Sequence, residues 1–244
     1  MLYLIGMGVH DPKDMSVKGL EIAKRCEEVF YERYTSPVSV EGLRELLGKE
    51  VKELGREDVE ESNLLIEKAR EKDVAFLVPG DPLVATTHQE LVLRARKKGV
   101  RVRVIHSSSI VSAVCETGLH IYKFGRVTSI PKTREDFFPT SPYHVLRENL
   151  ERGLHTLFLI DPEISLEEAV EYLFEAERRE GKGAISEETK GVFLSLGEEP
   201  EIVYGKLRDL KGRGKPQSLI IPGELHFMEE EFLRWWEHGK EEKG

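Results

Sequence analysis

The sequence predicts an α/β fold of two domains, the first of them built on a parallel sheet. Through the first half of the chain, short apolar runs alternate with amphipathic stretches of helical period, which is the pattern of parallel strands joined by crossover helices. The second half is less regular, since residues 122–143 form a loop-rich stretch that contains three prolines. The pattern changes near residues 106–112, so we expect an N-terminal α/β domain at residues 1–108 and a C-terminal α/β domain at residues 109–244.

The elements of the first half follow from the apolar period and from the residues that end each run. Ser16 is suited to cap a helix, whereas Gly48 and Gly99 follow helical stretches as stops. Pro79-Gly80-Asp81-Pro82 can continue neither a strand nor a helix, so it ends the clearest strand of the chain. The expected strands are residues 2–5, 29–31, 51–54, 74–78 and 100–105, and the expected helices are residues 17–26, 40–47, 57–72 and 87–98.

The second half contains the same two kinds of pattern at wider spacing. A helix is expected at residues 144–152, and the strong apolar strand after it ends at Asp161-Pro162. The expected strands are residues 154–160, 192–196, 202–204 and 218–221, and the other expected helices are residues 166–180 and 228–236. The Trp235-Trp236 pair on the last helix suggests packing or a subunit contact.

Composition narrows the class of protein. The 244 residues are 39% hydrophobic and 33% charged, which is typical of a globular protein with a substantial core. A net charge of -9 argues against a nonspecific nucleic-acid binder. No apolar run approaches the length of a membrane span, so we expect a soluble cytoplasmic protein. Cys26 and Cys115 lie in no metal-binding pattern, and both are expected to be buried thiols.

The first glycine-rich turn lies between a strand and a helix. Gly6 and Gly8 in this turn would let the backbone approach a cofactor, as in half of a dinucleotide fingerprint. Asp11 occupies the place of the third glycine, which disfavours a nicotinamide site. A tight turn with no ligand is the alternative.

The segment from Pro79 to His88 is the most informative one in the chain. It follows the clearest strand, at the end where open α/β sheets place their ligands. Its rigid loop suits a zwitterionic amino-acid group, with backbone N–H groups for the carboxylate and either backbone carbonyls or Asp81 for the ammonium. A solvated turn that is capped by Thr87 explains the spacing equally well.

Two further segments carry polar groups. Serines at 107–109 follow another strand end, near the same sheet edge, although serine runs are also common helix caps. Residues 117–125 suit either an apolar pocket with polar tips or an ordinary packed loop. No nucleophile–base motif is present, so the chemistry is expected to depend on positioning, and no catalytic residue is assigned.

These segments together resemble the diphthine synthases, methyltransferases that share their fold with the tetrapyrrole methylases. The resemblance spans almost the whole chain in order, and its most specific parts are PGDPLVATTH and TGLHIYKFG. It implies a parallel N-terminal sheet, a mixed C-terminal sheet, a cofactor cleft between the two domains, and a homodimer. No metal, nucleic acid or membrane is implied.

The resemblance also implies which residues bind the cofactor, S-adenosyl-L-methionine. Carried over by matching position, they are Val9, Asp81, Val84, Ser109, Ile110, Ile160, Leu196 or Gly197, and Gln217. The family often has His at the last of these positions, where this sequence has Gln.

The implied reaction is methyl transfer to the amine of the 3-amino-3-carboxypropyl group on a histidine of elongation factor 2, with S-adenosyl-L-homocysteine as the second product. The product, diphthine, is an intermediate of diphthamide biosynthesis. His10, His106 and His120 are candidates for the group that accepts a proton, and we interpret Asp81 as shaping the cofactor loop. The alternatives are a tetrapyrrole methyltransferase of the same fold and a cofactor-binding protein without catalysis.

Overall fold

The computed structural model describes residues 1–9, 11–35, 39–134, 136–196 and 200–237. The chain divides into two compact units, Met1–Ala113 and Val114–Gly244. The expected boundary after residue 108 stays a prediction. None of the helices within the described ranges is long and apolar enough to cross a membrane.

The N-terminal unit contains five strands and six helices among its described residues. The strands are β1 Leu2–Gly6, β2 Glu28–Glu32, β3 Lys52–Leu54, β4 Val74–Val78 and β5 Val102–Ile105. The helices are α1 Val17–Arg25, α2 Val40–Leu47, α3 Arg56–Glu60, α4 Leu64–Glu71, α5 His88–Lys97 and α6 Ile110–Ala113. All strand pairings are parallel, in the order β3-β2-β4-β1-β5, so the predicted parallel sheet is confirmed.

The direction of the crossovers reverses between the neighbouring strands β1 and β4. From β1 the chain crosses to β2 on one side, and from β4 it crosses to β5 on the other side. Open α/β sheets commonly bind ligands at the carboxyl ends of two neighbouring strands whose crossovers run in opposite directions. The loops after β1 and β4 are the glycine turn and the Pro79–Pro82 segment of the sequence.

Alternate residues of β1 supply the two faces of this core. Tyr3 and Ile5 pack with α1 and α2 residues, whereas Leu2 and Leu4 pack with residues of α4 and α5. Because helices cover both faces, the strands are continuous apolar runs, which explains why the sequence predicted them so clearly.

The C-terminal unit has a mixed sheet, as the resemblance implied. Its strands are β6 Thr128–Ile130, β7 Thr156–Ile160, β8 Lys190–Ser195, β9 Glu201–Lys206 and β10 Gln217–Ile221. Their order is β6-β7-β10-β8-β9, with only the β6–β7 pair parallel among the described strands. The helices are α7 Ser141–Leu150, α8 Leu166–Glu180 and α9 Phe227–Leu233.

Three expectations about elements were wrong. The helix expected at residues 57–72 is two helices, α3 and α4, because Ser62 bonds to the Asp58 carbonyl and accepts a hydrogen bond from the Leu64 N–H. Arg94 of α5 donates to the Val59 and Ser62 carbonyls at 2.7 and 2.9 Å, which stabilises this break. Strand β6 lies inside the stretch expected to be loop, and α7 begins earlier than expected.

Candidate functional site

The glycine turn and the Pro79–Pro82 loop are joined by backbone hydrogen bonds. Gly8 N–H donates to the Gly80 carbonyl at 3.2 Å, and Gly80 N–H donates back to the Gly8 carbonyl at 2.8 Å. Both glycines have a positive φ, +85° and +67°, which is costly for other residues. The bridge extends the β1–β4 pairing past the ends of the strands, and it holds the two loops side by side.

A glycine is required at position 6 because no side chain fits there, and not because of its backbone φ angle. A Cβ at this position would lie 2.6 Å from the Gly80 carbonyl oxygen and 2.8 Å from the Cβ of Ser107. Three loops therefore meet at Gly6, from the ends of β1, β4 and β5. We call this close packing of backbones the glycine cradle and define it by Gly6, Gly8 and Gly80.

Asp81 connects the cradle to the loop after β5. Its carboxylate is 4% exposed, and Oδ1 accepts a hydrogen bond from the Leu83 N–H at 3.0 Å. Oδ2 lies 2.8 Å from Nδ1 of His106 and accepts from the Ser107 N–H at 3.2 Å. The carboxylate thus fixes the turn that contains it and ties that turn to the next strand end.

The other N-terminal residues implied by the resemblance lie on the same three loops. Val9 follows Gly8, and Val84 follows Asp81 by one turn, since its N–H donates to the Asp81 carbonyl at 3.3 Å. Ser109 is 7% exposed and directly precedes α6, which begins at Ile110. Three neighbouring strand ends therefore bring these five positions to one edge of the sheet, which sequence spacing alone did not fix.

The C-terminal positions lie together at one edge of the mixed sheet. Ile160 ends β7, Gln217 begins β10, and Leu196 follows β8. Because β10 is antiparallel to both neighbours, its first residue lies beside their last residues; Gln217 is paired with Ser195 and Ser218 with Leu159. Gly197, the alternative to Leu196, lies outside the described residues.

Two polar atoms at this edge are buried without a protein partner. Oε1 of Gln217 and Oγ of Ser195 have no hydrogen-bond partner among the residues that the structure describes. A buried polar atom without a partner costs roughly 1–3 kcal/mol, so such a pair of neighbours indicates a ligand that supplies the missing contacts. Sequence reasoning missed Ser195, since a serine at the end of an apolar strand carries no signal of its own.

The segment at residues 117–125 is a packed loop in this structure. His120 N–H donates to Glu229 Oε1 at 2.8 Å, and Lys123 Nζ donates to Oε2 at 3.0 Å. Trp236 Nε1 donates to the Thr117 carbonyl at 3.2 Å, so one tryptophan of the pair packs on this loop while Trp235 is exposed.

His10, a candidate proton acceptor, lies outside the described residues. Cys115 is exposed, so the expectation of two buried thiols was wrong for it and confirmed for Cys26. Cys115 lies on a short helical turn after α6, which leaves its side chain in solvent.

Within the described part of the chain, no group of three or more His, Cys, Asp or Glu side chains is placed to hold a metal ion. The expected absence of a metal and the expected cofactor cleft stay predictions.

Comparison with known proteins identifies the family. The model of the Tetrapyrrole (Corrin/Porphyrin) Methylases matches residues 1–188. The chain belongs to this family. Its matched part includes the glycine cradle and Asp81, and it extends through α8 of the C-terminal unit.

Curated relatives and a solved structure are similar over nearly the full length. The chain is 45% identical to the diphthine synthase of Methanocaldococcus jannaschii, over 96% of this chain and 98% of that protein. It is 43% identical to the diphthine synthase of Methanothermobacter thermautotrophicus, over 96% and 94%. A crystal structure of diphthine synthase superposes with a TM-score of 0.87 at 36% identity, covering 97% of this chain and 95% of that one. Within the tetrapyrrole methylase family, the chain is therefore a member of the diphthine synthases.

Proposed function

We propose that this protein is a diphthine synthase, an S-adenosyl-L-methionine-dependent methyltransferase of diphthamide biosynthesis. Its acceptor is the amino group of the 3-amino-3-carboxypropyl-histidine of elongation factor 2. The observation that carries the proposal is the glycine cradle with its buried Asp81, on a chain 45% identical to a diphthine synthase over nearly its whole length.

The residues present fit the cofactor. Gly6 and Gly8 are buried and Gly80 is half-buried, and no side chain fits at Gly6, so the three loops pack closely at the sheet edge where open α/β sheets bind ligands. The partnerless Gln217 and Ser195 oxygens are acceptors that suit the amino group of an adenine ring. We propose that Val9, Asp81, Val84, Ser109, Ile110, Ile160, Leu196, Gly197 and Gln217 form the cofactor site.

When bound, S-adenosyl-L-methionine supplies a methyl group on a positively charged sulfur, and S-adenosyl-L-homocysteine is left after transfer. The task of the protein is then to hold donor and acceptor in line, because alignment alone supplies much of the rate. Asp81 and the glycine cradle hold the donor with groups that are already hydrogen-bonded to one another. The Pro79–Pro82 loop therefore needs little reorganisation when the cofactor binds.

The acceptor amine attacks in its neutral form, so a proton must leave it before each of the early transfers. His106 is the candidate that lies next to a proposed cofactor residue, since its Nδ1 contacts Asp81 while its ring is largely exposed. His120 is bound to Glu229 of α9 through its backbone N–H, which gives it a role in packing.

We propose a cytoplasmic homodimer. Apolar side chains are exposed on and beside α9 at Phe227, Met228, Phe232 and Trp235, and solvent-exposed apolar clusters of this kind are typical of contact surfaces. A cytoplasmic location suits an enzyme whose acceptor is a translation factor. Light scattering of the purified protein measures the oligomeric state.

The experiment that tests the function is mass spectrometry of elongation factor 2 that carries the unmethylated 3-amino-3-carboxypropyl-histidine. After incubation with this protein and S-adenosyl-L-methionine, the histidine-containing peptide should gain the mass of one or more methyl groups, whose number the spectrum counts. Elongation factor with the unmodified histidine is the matched control and should gain nothing. Cofactor binding without any gain on the modified peptide would contradict the proposal.

A further inference from the structure

A buried polar cluster lies beside the Pro79–Pro82 loop, and the cofactor site proposed above does not use it. His88, at the start of α5, is 2% exposed, and Glu32, at the end of β2, is fully buried. The ring of Phe76 meets the His88 ring edge-on, with centroids 5.3 Å apart, which fixes the plane of the imidazole. Burial of two ionisable side chains is costly unless their contacts are specific, so their positions require an explanation.

One nitrogen of His88 contacts the loop itself. Nδ1 lies 3.1 Å from the carbonyl oxygen of Pro82, the residue after Asp81. A carbonyl oxygen can only accept, so Nδ1 carries a proton and donates it. Thr86 Oγ1 donates to the same carbonyl at 2.7 Å, and Pro82 is therefore held by two donors.

The other nitrogen lies among oxygen atoms. Nε2 is 3.2 Å from Glu32 Oε2 and 3.4 Å from the Tyr34 hydroxyl. The Glu32 Oε2 atom lies near Nε2 without the alignment of a hydrogen bond, and Thr35 donates to the other carboxylate oxygen. Burial raises the pKa of the Tyr34 hydroxyl, and the charges of Glu32 and Glu60 raise it further, so Tyr34 keeps its proton.

We propose that His88 is a positioning residue of the cofactor loop. Its Nδ1–H holds the Pro82 carbonyl, while the Tyr34 hydroxyl beside Nε2 and the Phe76 ring hold the imidazole from the other side. The Asp81 carboxylate is consequently presented to Leu83, His106 and Ser107 in one orientation before any ligand binds. This inference rests on the proposed cofactor site, because only there does the orientation of the loop affect methyl transfer.

Substitutions of His88 can distinguish the roles of its two ring nitrogens. In His88→Asn, the amide nitrogen replaces Nδ1 and keeps a donor to Pro82 but does not reach Glu32. In His88→Gln, the amide nitrogen replaces Nε2 and reaches Glu32 but leaves the Pro82 carbonyl with one donor fewer. Thr86→Val removes the second donor to that carbonyl, together with the acceptor of the His88 backbone N–H at 3.4 Å, and leaves both side chains of the buried pair unaltered. Gln89→Ala, on the exposed side of α5, is the control.

The first readout is the Kd for S-adenosyl-L-methionine, measured by calorimetry. We expect His88→Gln to weaken binding about tenfold, in line with the loss of one hydrogen bond that orients the loop. His88→Asn should lose less than about threefold, Thr86→Val should resemble His88→Gln, and Gln89→Ala should match the parent protein. An equal loss in His88→Asn and His88→Gln overturns the proposal, since a merely structural role predicts that outcome.

The second readout needs no cofactor. The Leu83 and Val84 amides donate to Asp81 at 3.0 and 3.3 Å, so their hydrogen exchange reports the order of the loop in the ligand-free protein. Exchange at both amides should be faster in His88→Gln and Thr86→Val than in His88→Asn. If the parent protein bound no S-adenosyl-L-methionine, the proposed function would fail while exchange still decided the role of His88. Unchanged exchange in His88→Gln would refute that role.

Discussion

His155 and Glu229 face each other inside the C-terminal unit, with 3.1 Å between Nε2 of the imidazole and Oε1 of the carboxylate. Both side chains are fully buried. Gly223 N–H donates to Nδ1 of His155 at 2.9 Å, so Nδ1 carries no proton and Nε2–H is the donor to Glu229. Burial lowers the pKa of His155 despite the nearby carboxylate, in agreement with a neutral ring. The carboxylate joins α9 to the start of β7 and to the loop at residues 117–125.

Replacement of this carboxylate should destabilise the protein. Glu229 also accepts from the N–H groups of His120 and His226 and from Lys123, so Glu229→Gln removes the negative charge and replaces one of the two accepting oxygens by an NH2 group that faces donors. We expect the free energy of unfolding in urea to fall by about 3 kcal/mol, as for other broken buried pairs. Glu230→Gln, at an exposed neighbour on the same helix, should change it by less than about 0.5 kcal/mol. Equal effects of the two substitutions would contradict the role of the network.

The same carboxylate predicts how stability depends on pH. Burial would raise the pKa of Glu229, but the N–H groups of His226 and His120, followed by the side chains of Lys123 and His155, lower it to about 2 from 4.5. The unfolded chain therefore binds a proton at higher pH than the folded one. The stabilisation, about 3 kcal/mol at most, is complete above about pH 4.5 and is lost as the pH falls towards 2.

Urea unfolding of the parent protein and of Glu229→Gln at a series of pH values measures this contribution. The difference in unfolding free energy between them should shrink steadily below about pH 4.5. A difference that stays constant down to pH 2 would show that Glu229 titrates normally.

Gly6→Ala should disturb the cradle. The added Cβ would meet the Gly80 carbonyl oxygen at 2.6 Å, and backbone atoms cannot move away as a flexible side chain can. We expect a loss of about 1–3 kcal/mol in stability and weaker binding of S-adenosyl-L-methionine. Gly42→Ala is the matched control, since its nearest neighbour lies 3.9 Å away on the exposed side of α2. That helical substitution should leave binding unchanged and raise the melting temperature slightly.

Asp81→Ala should weaken cofactor binding at least tenfold, because the Leu83 and Ser107 N–H groups and Nδ1 of His106 lose their acceptor. Asp81→Asn keeps an oxygen that can accept from the Leu83 N–H, so it should lose less affinity for the cofactor. Calorimetric titration gives both affinities, and a melting curve checks that each variant folds. An Asp81→Ala protein that folds and binds S-adenosyl-L-methionine normally would contradict the interpretation of Asp81 as the residue that shapes the loop.

The two cysteines should differ in reactivity. Burial raises the pKa of the Cys26 thiol to about 11, with a smaller contribution from Asp73, whereas Cys115 is exposed. Because the thiolate is the reactive form, iodoacetamide at pH 8 should alkylate Cys115 alone in the folded protein. Mass spectrometry should show one adduct, none in Cys115→Ser, and two in urea. Rapid alkylation of Cys26 in the folded state would contradict its burial.

The sequence predicted a helix accurately where its apolar period, its N-cap and its C-terminal glycine indicated the same bounds. The helix expected at residues 166–180 is confirmed to the residue, because Ser165 and Glu168 form a capping box at its start and Gly181 ends it in the left-handed conformation. Residues 57–72 lacked such an internal stop, and the break between α3 and α4 is stabilised by Arg94, which is distant in sequence.

Apolar period, helix caps and the glycine–proline segments thus determined the fold class, most elements and the two loops that carry the cradle, because each depends on neighbours within a few residues. Only the tertiary structure decided the strand order that places β1 beside β4. The same long-range pairing determined that Gly8 bonds to Gly80, that Asp81 reaches Ser107 and that Glu229 meets His155. These contacts join residues 26 to 74 positions apart, and no local pattern specifies which strand ends or buried side chains will meet across such separations.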